Sequence, residues 1–363
     1  MRDMTTETRT RLHAVDNLRI LLTVLVVAHH VAITYGNIPV WYYLEPAKDP
    51  SGLLLDLLAV INQAYFMGFF FLISGFFTPG SHDRKGARAF LRDRLVRLGI
   101  PLLVFAVLLR PLITFGGRDG MPYWQYYFAS WSPGPMWFAE VLIVFALAYA
   151  AWRRLRAPLD QRPAPLKLTW IVLFTLGLAA LTFLWRIPVP TGAHWPVVGL
   201  PTPYFLPQYA AMFMLGCVAF RRGWFETLPE RASVLGFVAA GGATVVLMPV
   251  MLAAGGGTLT GGPLESALMA LWESVFAVGM IIGLTVWFRE RFNRQGPRAR
   301  FLSDHAYTVY VIHPLVLVGL GWSLRWLEAI AVVKFAVMLV LALPLCWWIA
   351  YLVRLLPGAK RVL

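Results

Sequence analysis

Ten apolar stretches of roughly 20 residues alternate with short polar connections along the 363-residue chain. Their approximate limits are 18–35, 53–79, 98–116, 135–152, 166–187, 203–220, 233–254, 266–288, 304–322 and 327–353. A helix rises about 1.5 Å per residue and the hydrocarbon layer is about 30 Å thick, so each stretch is long enough to cross a bilayer. Backbone amides cannot stay unpaired in hydrocarbon, so the pattern predicts an all-α, polytopic integral membrane protein with about ten transmembrane helices. The span 98–116 contains Arg110-Pro111, and the last span is long enough to tilt or bend. Asp3, Glu7 and Asp16 precede the first span and no small-residue site follows it, so no cleavable signal is expected. The connections are too short to fold alone. Residues 1–363 therefore read as a single membrane domain with its core at about 14–355.

The basic residues set the orientation. Of 32 Lys and Arg, 26 fall on the side shared by the N-terminus, the connections 80–97, 153–167, 221–231 and 289–300, and the C-terminus. Only Lys48, Arg118, Arg186 and Arg325 fall opposite, with Arg110 and Lys334 inside spans. Basic loops stay in the cytoplasm, which predicts both termini inside. The net charge of +14 is then a topology signal, and no nucleic-acid partner is needed to explain it. With 59% hydrophobic and 14% charged residues, against about 25% charged in soluble domains, a conventional water-soluble enzyme is excluded. Cys217 and Cys346 lie in apolar runs, which leaves no disulfide framework and no cysteine metal cage. His13, His82, His194 and His305 are too far apart for a ligand motif, so no metal is expected.

Ionisable side chains within the spans are functional candidates because burying them in lipid is costly. They are His29, His30, Arg110, Glu140, Glu273 and His313, with Asn62, Gln63 and Gln208 as neutral companions. The ionisable residues come from several spans yet fall in the middle to outer half of the membrane, which predicts a polar cavity there. Arg19 and His30 are eleven residues apart, about three turns and roughly 16 Å along a helix. They share one face with Thr23, whereas His29 points about 100° away. An arginine at the cytoplasmic mouth suits phosphate, and a buried histidine one pantetheine length deeper suits a thioester. Arg94 and Arg97, three apart at a predicted helix start, are placed to clamp a phosphate.

Plainer roles stand beside these. Histidine in a membrane also bonds neighbouring helices or lines a water-filled gap, which is the favoured reading of His29. Arg19 also fits a positive-inside anchor, and the 80–97 connection a topogenic loop beside anionic lipid. Arg110 fits either carbonyls freed by the kink at Pro111 or a pair with Glu140, and Glu273 reads as structural. Phe69-Phe70-Phe71 reads as packing.

Taken in order, five segments resemble the acyltransferase-3 family of integral membrane acyltransferases. They are Val15-Asp16-Asn17-Leu18-Arg19 running on to His30, Phe69–Phe77 (FFFLISGFF), Phe90–Pro101 (FLRDRLVRLGIP, with Arg94 and Arg97), Met136–Glu140 (MWFAE) and Ser303–His313 (SDHAYTVYVIH). The first two spans look closest to the branch of the periplasmic glucan succinyltransferase, although the short Trp137–Glu140 spacing differs from some polysaccharide O-acetylating branches. The resemblance implies a multi-pass enzyme of the bacterial cytoplasmic membrane. It would move an acyl group from cytoplasmic acyl-CoA, acetyl-CoA by default and succinyl as the variant, to a hydroxyl of an extracytoplasmic or membrane-linked glycan, lipid or small molecule. Acyl transfer needs a base and oxyanion donors. His30 is the expected base, with an acyl-imidazole as the alternative. Glu140 is expected to fix the histidine tautomer or bind the acceptor. Arg19, Arg94 and Arg97 would hold the nucleotide phosphates, and Tyr310 and His313 would donate to the thioester carbonyl or line the acceptor side. Two other classes fit the polar residues: a secondary transporter of an anionic or glycan-linked solute, against which stands the lack of an internal repeat, and a membrane cytochrome with His30 and His313 as haem ligands.

Overall fold

A computed structural model describes residues 12–117, 120–156, 163–195, 199–253 and 262–363. In chain order the helices are α1 (His13–Tyr35), α2 (Gly52–Gln63), α3 (Phe66–Arg94), α4 (Ile100–Val104), α5 (Arg110–Thr114), α6 (Tyr123–Ala129), α7 (Trp137–Leu155), α8 (Leu168–Arg186), α9 (Leu206–Arg222), α10 (Trp224–Thr227), α11 (Arg231–Ala253), α12 (Pro263–Arg291), α13 (Pro297–Leu324), α14 (Ala331–Leu355) and α15 (Ala359–Val362). Among the described residues, nine helical stretches are long and apolar enough to cross a membrane. This is a multi-pass, all-α membrane protein.

One of the nine, Gly52–Gly117, is 66 residues long, more than twice the length of a single crossing. It folds back on itself at Gly86, whose φ of 73° and ψ of 162° break the helix. His82 and Phe90 would sit about 12 Å apart along a straight helix, yet their ring centroids are 5.5 Å apart. The stretch thus holds the two spans expected at 53–79 and 98–116. The connection expected at 80–97 is a helical hairpin with a one-glycine turn. A residue with a side chain strongly disfavours this backbone conformation, which glycine adopts freely.

The span expected at 53–79 is itself divided. Helix α2 ends at Gln63 and α3 begins at Phe66. Gln208 on α9 donates to the carbonyl of Ala64 at the break (2.8 Å), and Asn62 donates to the carbonyl of Leu25 (3.1 Å). Further along, π-helical turns at Leu95–Gly99 and Phe105–Leu109 interrupt the expected 98–116 helix. Proline is the reason for the first. Pro101 has no N–H to offer the carbonyl four residues back, and the hydroxyl of Tyr307 donates to that Arg97 carbonyl instead (2.7 Å).

Glycines bring helices into backbone contact. A Cβ on Gly75 would lie 2.0 Å from the carbonyl oxygen of Phe213, and one on Gly216 would lie 2.1 Å from that of Leu72. Helices α3 and α9 therefore touch along this line, which gives the glycine of the FFFLISGFF segment its physical role. Gly236 and Gly279 do the same for α11 and α12. Apolar side chains on the perimeter stay exposed, as in Val107 and Trp170 at 73% and 63%, and form the lipid-facing surface.

The basic connections gather on one face. Asn17 donates to the carbonyls of Phe292 and Arg294, Arg153 and Arg221 approach Asp83, and Arg289 donates to the carbonyls of Phe225 and Glu226. This is called the basic face below. The opposite face is crossed by the connection between α1 and α2. Asp56 ties it down through both the amide and the side chain of Asn37 (2.7 Å each), and Ala331 donates its amide to Asp49 (2.9 Å). Glu45 also pairs with Lys334 there.

Candidate active site

Helices α1 and α13 pack together and bring His30 and His313 into contact. Nε2 of His313 lies 3.2 Å from Nδ1 of His30. Carbonyl oxygens can only accept, so the surrounding carbonyls fix which nitrogens carry protons. Nδ1 of His313 lies 2.7 Å from the carbonyl oxygen of Tyr310 and donates to it. Nε2 of His313 is then an acceptor. Nδ1 of His30 lies 2.9 Å from the carbonyl oxygen of Val26, donates there, and shares its proton with His313. Nε2 of His30 is left with its lone pair free, the form a general base requires.

The Tyr310 carbonyl is available because of sequence. Position 314, four residues on, is proline, which cannot supply the helical N–H. Pro314 lies within α13 without ending it. The His313-Pro314 pair thus supplies both the ring and the acceptor that orients it, and the sequence analysis missed this signal.

Trp41 caps the pair from the opposite face. Its ring stacks on His30 at 3.9 Å between centroids and lies nearly parallel to His313 (11°) at 5.9 Å. Its indole Nε1 is buried and has no hydrogen-bond partner among the described residues, and the same holds for the hydroxyl of Tyr42. Both residues sit in an irregular connection that carries no helical or strand pattern, so no sequence signal pointed to them.

A cavity of about 450 Å³ adjoins the pair. Its lining includes His29, His30, Trp41, Gln63, Trp137 and Tyr310, together with connections of the opposite face such as Ser132–Pro135 and Pro201–Phe205. His29 is a lining group, in keeping with its plainer role. Its ring sits 5.1 Å from that of Phe66, and its Nδ1 is unpartnered among the described residues.

The other expected site residues are distributed differently. Arg19 and His30 do lie on one uninterrupted helix, three turns apart. The guanidinium of Arg19 is 3.7 Å from Asp16, and Thr23, on the same face, donates to the Arg19 carbonyl. Arg94 turns over the ring of Phe90 at 5.3 Å, whereas exposed Arg97 pairs with Asp93 at 3.5 Å. The carbonyl of Arg97 meets Tyr307, whose ring stacks on that of Tyr310 at 6.0 Å, and Tyr310 is 6.2 Å from His313. A line of rings thus runs from the basic face to the histidine pair.

Three expectations are corrected. Glu140 makes no hydrogen bond or ion pair among the described residues, and the tautomer is set by backbone carbonyls instead. It is half-buried on α7 and does not line the cavity. The Tyr310 hydroxyl donates to the carbonyl of Pro135, so Tyr310 holds α13 against the turn before α7 rather than offering a free proton, which corrects only its expected donor role, since Tyr310 is among the residues that line the cavity. Arg110 pairs neither with Glu140 nor with carbonyls freed by Pro111. It donates to the carbonyl and hydroxyl of Ser130 (2.5 and 3.0 Å) and lies over Tyr127 at 4.4 Å. Glu273, read as structural, pairs with Arg186 at 2.5 Å, both nearly fully buried, and also borders the cavity.

Comparison with known proteins agrees with the layout. A family model described as an acyltransferase domain matches residues 12–351. The glucans biosynthesis protein C of Escherichia coli O17:K52:H18 (strain UMN026) is 24% identical over 344 residues, covering 85% of this chain and 82% of the relative. The protein of the same name from Escherichia coli O81 (strain ED1a) is 26% identical over 341 residues with the same coverage. No solved structure matches the chain.

Proposed function

The chain belongs to this acyltransferase family and is a membrane acyltransferase, and from that premise we propose that it moves an acyl group from cytoplasmic acyl-CoA to a hydroxyl acceptor, with His30 as general base. Acetyl is the default group and succinyl the variant. The acceptor is an extracytoplasmic or membrane-linked glycan, lipid or small molecule, and the name of the relatives, glucans biosynthesis protein C, favours a glucan. The basic face is the cytoplasmic one, with both termini inside, as the 26 basic residues on that side favour.

The observation that carries this reading is the His30–His313 contact beside a cavity lined from the opposite face. The donor enters from the basic face, where Arg19, Arg94 and Arg97 hold its phosphates, and its thioester lies beside His30. The acceptor hydroxyl gives its proton to Nε2 of His30, and its oxygen attacks the thioester carbon. The imidazolium that forms keeps its Nδ1–H on Val26 and on neutral His313, which stabilise it. The indole N–H of Trp41, unpartnered among the described residues on a ring stacked on His30, is the donor for the tetrahedral oxyanion. Collapse expels the CoA thiolate, which takes the proton from His30, and leaves the ester.

Labelled acetyl-CoA presented to purified protein with an extract of cell-envelope glycans and lipids tests the assignment. His30→Ala is expected to abolish label transfer while leaving CoA binding and folding intact, and near-normal turnover would remove His30 from the chemistry. A secondary transporter would instead show no thermal stabilisation by CoA.

A further inference from the structure

A second cavity, of about 540 Å³, lies on the side of the basic face between α7 and α9. Its walls are mostly apolar, with Phe145, Ala148, Trp152, Phe213 and Met214 among them, and Arg153 and Arg221 stand at its rim. Their side chains are only 8% and 6% exposed. One carboxylate serves both: Asp83 lies 3.4 Å from Arg153 and 2.6 Å from Arg221. Two cations against one anion leave an uncompensated buried positive charge. The Nε and Nη1 of Arg153 are buried without a hydrogen-bond partner among the described residues. A buried guanidinium with unused donors is costly, and an anion with several acceptor oxygens relieves it.

This cavity is separate from the catalytic one. The ring of Phe71 lies 5.4 Å from Phe145 on one side and 4.9 Å from Tyr209 on the other. Tyr209 in turn stacks on Trp137 at 5.4 Å, which lines the histidine cavity. A layer of aromatic rings therefore stands between them. The second cavity opens sideways instead, since Met214 is 60% and Trp152 42% exposed on the lipid-facing surface.

We propose that this cavity is a binding site for an anionic phospholipid of the leaflet on the basic face, its phosphate held by Arg153 and Arg221 and an acyl chain between α7 and α9. The charge selects the headgroup, and the apolar walls with their lateral opening select a ligand that arrives through the bilayer.

The test uses full-length protein in phosphatidylcholine nanodiscs doped with phosphatidylglycerol, with retained lipid read by native mass spectrometry. One phosphatidylglycerol should survive on the protein in preference to phosphatidylcholine. Arg153→Gln should lower its retention about tenfold or more, the loss expected of a charged hydrogen-bond pair. Arg298→Gln, exposed on the basic face outside this cluster, should not. Ala148→Phe, which fills the apolar part without touching the arginines, should also lower retention, so the proposal stays testable if Arg153→Gln fails to fold. Equal retention of the two lipids, or full retention in both site variants, would overturn it. So would displacement by acetyl-CoA, which would make the cavity part of the donor site, or equal protection by inorganic phosphate, which would show that the chain portion is not recognised.

Discussion

Replacing Pro314 by Ala tests how the histidine pair is held. The substitution returns a backbone N–H to position 314, which competes with Nδ1 of His313 for the Tyr310 carbonyl. His313 then loses the bond that fixes its tautomer, and Nε2 no longer reliably accepts from His30. The expected outcome is a fall in acyl-transfer kcat of about 10²-fold, the scale of a misplaced acid–base group, with an unchanged or higher Tm because proline disfavours a helix interior. A drop in Tm with unchanged kcat would assign Pro314 to folding alone. Trp41 separates stacking from donation. Trp41→Phe keeps a ring over His30 but removes the indole N–H, and kcat is expected to fall by about 10²-fold, as when an oxyanion donor is lost. KM for acetyl-CoA should change little. At this scale, Arg19 and His30 were legible because helical spacing alone puts them on one face. The contact with His313 was not, since the two histidines are 283 positions apart and the chain between them carries no periodicity that joins them. Glu140 shows the converse: an acidic residue inside a span attracts attention, yet the backbone carbonyls of Val26 and Tyr310, the second freed by Pro314, had already taken its expected role.

Helix pairing rests on glycines that admit another backbone. Gly75 can carry no side chain without displacing the Phe213 carbonyl, which is itself locked in α9. Gly75→Ala is expected to destabilise the α3–α9 contact by about 1–3 kcal/mol, the usual scale of overpacking, read as a lower Tm in detergent. A change at Gly99, where an added Cβ meets nothing within 4 Å, serves as the control. The elements themselves were largely legible, because a run of apolar residues in a bilayer has no option but to be helical. Their interruptions were less so. The break between α2 and α3 depends on Gln208, more than 140 residues away, and the turn at Gly86 lies within a run that otherwise favours helix. The π-helical turn at Leu95–Gly99 did have a local sign in Pro101, whose partner Tyr307 had none.

Across the whole molecule, the chemistry divides by side. The rings leading from Arg97 through Tyr307 and Tyr310 start at the basic face, whereas Trp41, Gln63 and the cavity approach His30 from the other. Under the proposed function, an enzyme so arranged takes donor and acceptor from opposite compartments, and the connection anchored over the face opposite the basic one would keep them from exchanging sides. Orientation is therefore part of the mechanism, and it is measurable. Asn37→Cys, on the opposite face, is expected to react with a membrane-impermeant maleimide in intact cells, and Arg294→Cys, on the basic face, only after the cells are opened. Both would be made in a background lacking Cys217 and Cys346. Labelled acetyl-CoA supplied from outside should then support transfer in inverted vesicles and not in right-side-out ones. Transfer in right-side-out vesicles, with the maleimide pattern unchanged, would mean that the donor does not enter past the arginines, and the path along α13 would lose its role. A reversed maleimide pattern would instead overturn the orientation while leaving the two-sided arrangement of the site intact.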